Sequence, residues 1–269
     1  MSAARPSAIR RAAAGVRRRL FGLRMRRLAR KLAGRKLLAA FAEVSPEAFF
    51  IEVGANDGWQ GDHLRPLILT TRWRGIMVEP QPDAFRRLRQ NYEANERVIL
   101  ENVAISARDG RLPFYEVAPP PGESPLELFG SYDLLGSLSR EALLGHDWIA
   151  GVEQRIVRTE VDCMRLDSLC RKHGVERVDL LIVDTEGYDY EILKQLEQSP
   201  LRPRVIGYEH ALLVEREREE CKRMLRDLGY ELLEESFDTW CLDARTEDEL
   251  TAIWRDLRPA APPVLRTDL

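Results

Sequence analysis

The chain is predicted to be an α/β protein with a doubly wound, Rossmann-like, mostly parallel sheet that closes in an antiparallel C-terminal hairpin. Three observations carry this. Short apolar runs rich in β-branched and aromatic residues alternate with segments of helical spacing. The first run stops abruptly in a turn that bears two glycines, the signature of a ligand-facing strand end. The last two runs are separated by a few polar residues, which is hairpin spacing.

In chain order, Ala48–Val53 (AFFIEV) reads as a buried strand ending at Gly54. Gly75–Glu79 and Val98–Val103 are the next two strands, joined by a helix over Asp83–Asn95 whose apolar positions are Phe85, Leu88 and Tyr92. Two βαβ units in succession require parallel strands. Val178–Val183 (VDLLIV) is a strand buried on both faces, Tyr188–Leu196 the helix after it, and Val205–Tyr208 another strand. Glu215–Leu228 is an amphipathic helix ended by Gly229. Tyr230–Glu234 and Thr239–Asp243 then pair around Glu235–Asp238.

One interval, about 75 residues between Val103 and Val178, exceeds what a crossover helix needs. Leu112–Val117 and Ile156–Val161 read as an inserted hairpin, within an insert at about 111–162. A Pro-rich stretch from Pro119 to Pro125 opens a loop, and Gly130–Trp148 reads as a lid or substrate loop, with Trp148 as an aromatic platform. The crossover helix itself is Arg165–His173, closed by Gly174.

The composition, 269 residues with 44% hydrophobic and 32% charged, excludes disordered, collagenous and disulfide-rich classes. Cys163, Cys170, Cys221 and Cys241 form no C-x-x-C pair, which points to a reduced, cytoplasmic chain. No run approaches the length of a membrane span, and the N-terminus lacks the apolar core of a secretory signal. Charge is unevenly placed. Residues 1–42 hold thirteen Lys or Arg and no acid, leaving 28 basic against 44 acidic side chains in the remainder. Leu20, Leu23, Leu28, Leu32 and Leu37, with Phe21, give this arm an apolar stripe among arginines. The arm could lie on an anionic membrane, contact nucleic acid, cover the acidic body, target an organelle, or be a plain extension. The domain boundaries read as a basic arm over 1–42, a main domain over 43–250 and a tail over 251–269.

The chemistry concentrates at predicted strand ends. In Glu52-Val-Gly54-Ala-Asn56-Asp57-Gly58 a glycine lets the backbone approach a ligand, although Asn56 replaces the middle glycine of a dinucleotide loop. Glu79 ends the second strand 25 residues after Gly54, close to the offset at which an acid accepts hydrogen bonds from a ribose diol. Asp184, Glu186, Glu209 and His210 follow two adjacent strands. An acid cluster there could hold a divalent cation such as Mg or Mn, or act as general base, with His210 preferred because an imidazole is largely neutral near pH 7. Asp184 and Glu186 could instead cap the next helix. His63, His146 and His173 are given no role, and Trp59, Trp73, Trp240 and Trp254 read as core or edge aromatics.

FIEVGANDG (Phe50–Gly58), VEPQP (Val78–Pro82), NVAIS (Asn102–Ser106), LDSL (Leu166–Leu169) and VDLLIVDTEGYDYEIL (Val178–Leu193) together resemble, in order and spacing, the FkbM family of S-adenosylmethionine-dependent methyltransferases. The most specific piece is Asp184-Thr-Glu186-Gly187 followed by Glu191 and Leu193; Tyr208-Glu209-His210 fits the family's looser acid-then-histidine pattern with Tyr before the acid. The resemblance implies a class I methyltransferase fold with S-adenosylmethionine as cofactor. By it, Glu52, Gly54, Asn56 and Gly58 flank the methionine part, Glu79 the ribose, and Asn102 to Ala104 the adenine. It further implies methylation of a hydroxyl on a sugar, glycan or other small molecule. Two rivals stand beside it: a nucleic-acid methyltransferase gripping phosphates with the basic arm, and a noncatalytic binding module of the same fold.

Overall fold

Consecutive parallel strands are joined through helices, and those helices cover both faces of the sheet, so the strands are apolar on both sides. The computed structural model describes residues 32–118, 135–146 and 151–257. Helix α1 (Leu32–Val44) leads into β1 (Phe49–Val53), α2 (Arg65–Thr70), β2 (Arg74–Val78), α3 (Pro82–Tyr92) and β3 (Val98–Glu101). The insert follows as β4 (Ala104–Ile105), β5 (Gly110–Val117), β6 (Gly136–Ser137), α4 (Arg140–Leu144), α5 (Val152–Arg155) and β7 (Ile156–Met164). The chain then returns through α6 (Leu166–Lys172), β8 (Leu180–Val183), α7 (Asp189–Leu193), β9 (Val205–Glu209), α8 (Glu215–Asp227), β10 (Tyr230–Glu235), β11 (Asp238–Asp243) and α9 (Glu249–Leu257).

The main sheet has the order β3-β2-β1-β8-β9-β11-β10. It is a Rossmann-like, doubly wound sheet, parallel from β3 to β9, with the expected antiparallel hairpin at one edge. The second hairpin strand, β11, lies against β9 with Trp240 opposite Gly207, and the first, β10, forms the edge. Strand order reverses between β1 and β8, which opens a crevice at their carboxyl ends. Alternate residues of β1 serve the two cores. Ile51 and Val53 join Leu169, Ile192 and Leu225 on one face, while Phe50 joins Phe41, Trp73, Leu88 and Trp254 on the other. In the insert, β5 and β7 pair from Leu112 opposite Val161 to Val117 opposite Ile156, the expected hairpin, within a separate sheet of order β4-β7-β5-β6.

The packed body begins earlier than the boundary drawn after residue 42. Helix α1 buries Leu37, Leu38 and Phe41, so Leu37 belongs to the core and not to a stripe free to meet a membrane. Its first turn is held by the hairpin, since the Ala33 and Gly34 N–H groups each donate to the Glu235 carboxylate at 3.0 Å. At the other end α9 crosses the boundary drawn at 250 and buries Leu250 and Trp254 in the same core. The remainder of the basic arm, the Pro119–Pro125 stretch, Gly130, Trp148 and the end of the tail lie outside the described residues. No helix among the described residues is long and apolar enough to cross a membrane. All four cysteines are buried and unpaired.

Phe41 is fully buried against Trp73, at 5.7 Å between ring centroids. Phe41→Ala is therefore expected to lower stability by about 3–5 kcal/mol. Urea unfolding checks this, and a loss below about 1 kcal/mol would show that α1 is peripheral.

Candidate active site

The crevice between β1 and β8 depends on a glycine. Gly54 has φ +85, and a Cβ built there would stand 1.8 Å from the Asp184 carbonyl oxygen. The turn is pinned on both sides: Asp184 N–H donates to Val53 O at 2.9 Å, while Gly54 and Ala55 N–H both donate to Val78 O, at 2.9 and 3.0 Å. A cavity of about 970 Å³ opens above it.

Most of the expected cofactor residues meet in this cavity. Glu52, Gly54, Asn56, Glu79 and Ala104 line it. Glu79 is buried, and its two oxygens accept from Asn56 N–H and Gln81 N–H, both at 2.8 Å. Burial pushes its carboxyl up to about 7, against the opposing pull of those two hydrogen bonds. Glu52 is also buried, with its carboxyl pushed well up by burial and then by the Asp62 and Asp184 charges; its Oε2 has no hydrogen-bond partner among the described residues. Two expected residues take other places. Asn102 is exposed and donates to the Glu79 and Pro80 carbonyls at 2.8 and 3.0 Å, bracing the strand end without lining the cavity. Gly58, at φ +62, faces Met77, Leu88 and Tyr92, where a Cβ would collide, so its role is packing under α3.

Asp184, Glu186 and Glu209 also line the cavity, and each offers an oxygen within 4.8 Å of the others. The N-cap position of α7 is Tyr188, whose side chain makes no cap bond. The Glu209 carboxyl is pushed well above the ordinary range by burial first and then by Asp184 and Glu186, and its Oε2 has no hydrogen-bond partner among the described residues. His210 does not join them. The residue after Glu209 turns inward: its backbone N–H donates to Phe237 O at 2.7 Å and its Nδ1 pairs with Thr239 Oγ1 at 2.8 Å. Burial, then Arg218, lowers its pKa, and it does not line the cavity, so the preference for His210 as base is not met by the geometry.

Four residues escaped the sequence reading. Asp189 is fully buried, accepting from Thr185 Oγ1 at 2.9 Å and from Glu209 N–H at 3.2 Å, and so ties the β8 turn to the end of β9. Its place five residues after Asp184 was visible in the sequence. Phe114 and Leu138 bring the insert sheet to the cavity wall beside Ala104 and Ile105. His146, just after α4, places Nε2 3.1 Å from Glu186 Oε2.

Comparisons with known proteins identify the family. A family model described as the methyltransferase FkbM domain matches residues 52–232. The 2-O-methyltransferase NoeI of Sinorhizobium fredii is 29% identical over 168 residues, which are 62% of this chain and 64% of that protein, so the match spans just under two thirds of the relative. Among solved structures, methyltransferase FkbM from Methylobacillus flagellatus is 11% identical at a TM-score of 0.44, covering 73% of this chain and 44% of that one. A methyltransferase from Geobacter sulfurreducens is 11% identical at 0.41, covering 90% of each chain. Both scores are low; the sheet order described above, not these likenesses, is what defines the fold here. Because the family model runs from the residue before the glycine turn's strand end through β9 and into β10, the chain belongs to the methyltransferase FkbM domain family.

Proposed function

We propose that the chain is an S-adenosylmethionine-dependent methyltransferase that methylates a hydroxyl of a sugar, glycan or other small molecule. The observation that carries this reading is the convergence of Glu52, Glu79 and the Asp184–Glu186–Glu209 trio on one cavity at the strand-order switch. The residues fit the cofactor: the unpartnered Glu52 carboxylate oxygen suits the ammonium of the methionine part, and Glu79 suits the ribose diol. Phe114 and Leu138 offer apolar surface for the adenine. When bound, S-adenosylmethionine supplies a methyl group on a sulfonium centre. The chain's own work is then to orient the acceptor and take its hydroxyl proton. Glu209 is placed to take that proton because it lines the cavity and its buried Oε2 makes no hydrogen bond among the described residues.

The relative's name, a 2-O-methyltransferase, supports an oxygen acceptor. The many carboxylates of the cavity argue against a nucleic-acid acceptor, whose phosphates they would repel. A noncatalytic module would hold cofactor without transferring a methyl to any acceptor. The trio is also an all-oxygen donor set of the kind that suits Mg or Mn, and chelation separates the two uses: activity surviving EDTA leaves Glu209 acting as base. Four unpaired buried cysteines support a reducing, cytoplasmic setting. For the thirteen cations of residues 1–42 we retain association with an anionic membrane surface. Co-sedimentation with phosphatidylglycerol vesicles at low salt is expected, and its absence removes that reading.

Two outcomes test the site. Glu79→Gln should weaken S-adenosylmethionine binding roughly ten- to a hundredfold in calorimetry, since a charged acceptor contributes about 1.5–3 kcal/mol. Because the ribose needs the ionised acceptor, wild-type affinity should fall as pH drops below about 7, by at most tenfold per pH unit, and the variant should lose this dependence. Glu209→Gln should keep cofactor affinity while lowering the rate about a hundred- to ten-thousandfold with labelled cofactor and a saccharide panel. Normal turnover by that variant would exclude Glu209 as base.

A further inference from the structure

We propose that His146 is a positioning residue for methyl transfer, holding the Glu186 carboxylate within the Asp184–Glu186–Glu209 trio. The proposal rests on the reading of that trio as the proton-accepting centre. Three acids within 4.8 Å repel one another, and a side chain with freedom to do so would swing away. Glu186 is restrained twice. Its backbone sits at φ +54, a left-handed conformation uncommon for a residue other than glycine. Its carboxylate Oε2 lies 3.1 Å from His146 Nε2, a close contact outside hydrogen-bond geometry, with the His146 and Glu186 side chains only 10% and 16% exposed.

The imidazole is itself delivered by a fixed element. The Ser139 side chain accepts from Ala142 N–H at 3.2 Å and so caps α4, and the His146 N–H donates to Leu143 O at 3.3 Å at the other end. Helix α4 then packs on the β8 turn at Gly187. There φ is +92, and a Cβ would stand 2.4 Å from the Ala142 Cβ, so glycine is required on both counts. The insert therefore grips the Asp184-Thr185-Glu186-Gly187 turn at two adjacent points, by backbone packing at Gly187 and by the imidazole at Glu186. His146 does not line the cavity, which makes it a residue that acts through Glu186.

The test compares His146→Ala with His146→Gln, whose amide can reach Glu186 from a similar distance. In His146→Ala, S-adenosylmethionine affinity should stay within about twofold while kcat toward a saccharide panel falls roughly ten- to a hundredfold, the loss expected for a misplaced catalytic group. His146→Gln should recover most of that rate. Crystal structures give a readout that needs no acceptor: Glu186 should leave the trio in His146→Ala and remain in His146→Gln. An unmoved Glu186 in His146→Ala overturns the proposal, as does equal impairment of the two variants. If the wild type binds no S-adenosylmethionine, the functional reading fails, while the displacement of Glu186 still decides the role of His146.

Discussion

The contact between the Gly54 backbone and the Asp184 carbonyl sets the terms for the rest of the site. Only a residue without a Cβ allows the ends of β1 and β8 to approach so closely, and that approach places the residues on either side of it. Glu52, two positions before Gly54, faces the cavity on the same side of the strand as Phe50. Asn56, two positions after it, is held at φ +49 by the Glu79 carboxylate. On the other side of the contact, the turn that begins at Asp184 carries Glu186 toward Glu209. One backbone approach thus brings groups from β1, β2, β8 and β9 to a common mouth.

That mouth gathers more carboxylates than a protein interior tolerates without compensation, and the compensation is unequal. Burial raises the pKa of Glu52, Glu79, Asp189 and Glu209 alike. Glu79 and Asp189 are each answered by two protein donors, so they tie the scaffold together. Glu52 and Glu209 each keep a buried oxygen without a hydrogen-bond partner among the described residues. An uncompensated acceptor is a cost that folding alone would select against. These two acids, Glu52 and Glu209, both line the cavity, where the proposed ligand's ammonium or hydroxyl would answer them.

The parallel strands were legible because each is a short apolar run bounded by a turn, and the hairpin because its two runs are separated by a few polar residues. Gly54, Glu79 and the turn beginning at Asp184 were legible as cavity residues because strand ends in such sheets face ligands. Helix α1 was misread because its apolar face, with Leu37, Leu38 and Phe41, lies directly after a run of arginines that dominates any window containing it. His210 was misread for a different reason. Adjacency to Glu209 in sequence says nothing of which way the next side chain points once the strand ends, and here it turns in to Thr239. His146 had no local signal at all, since its partner is forty residues away and the pairing exists only after the insert folds back.

The insert deserves its length on physical grounds. A doubly wound sheet presents a crevice open to water at its carboxyl edge, which dilutes electrostatic effects and leaves reacting groups free to move. Here β5 and β6 wall one end of that crevice through Phe114 and Gly136, and Gly136 is packed so closely that a Cβ would meet Gln81 Nε2 at 2.2 Å and the Phe114 ring at 2.7 Å. Helix α4, a few residues further on, closes on Gly187 and Glu186 beside the trio. The segment from Gly136 to His146 therefore touches the strand-end loop that follows Glu79 at one end and the acid trio at the other. The same short segment thus meets the cavity wall at Gly136 and the Glu186 carboxylate at His146.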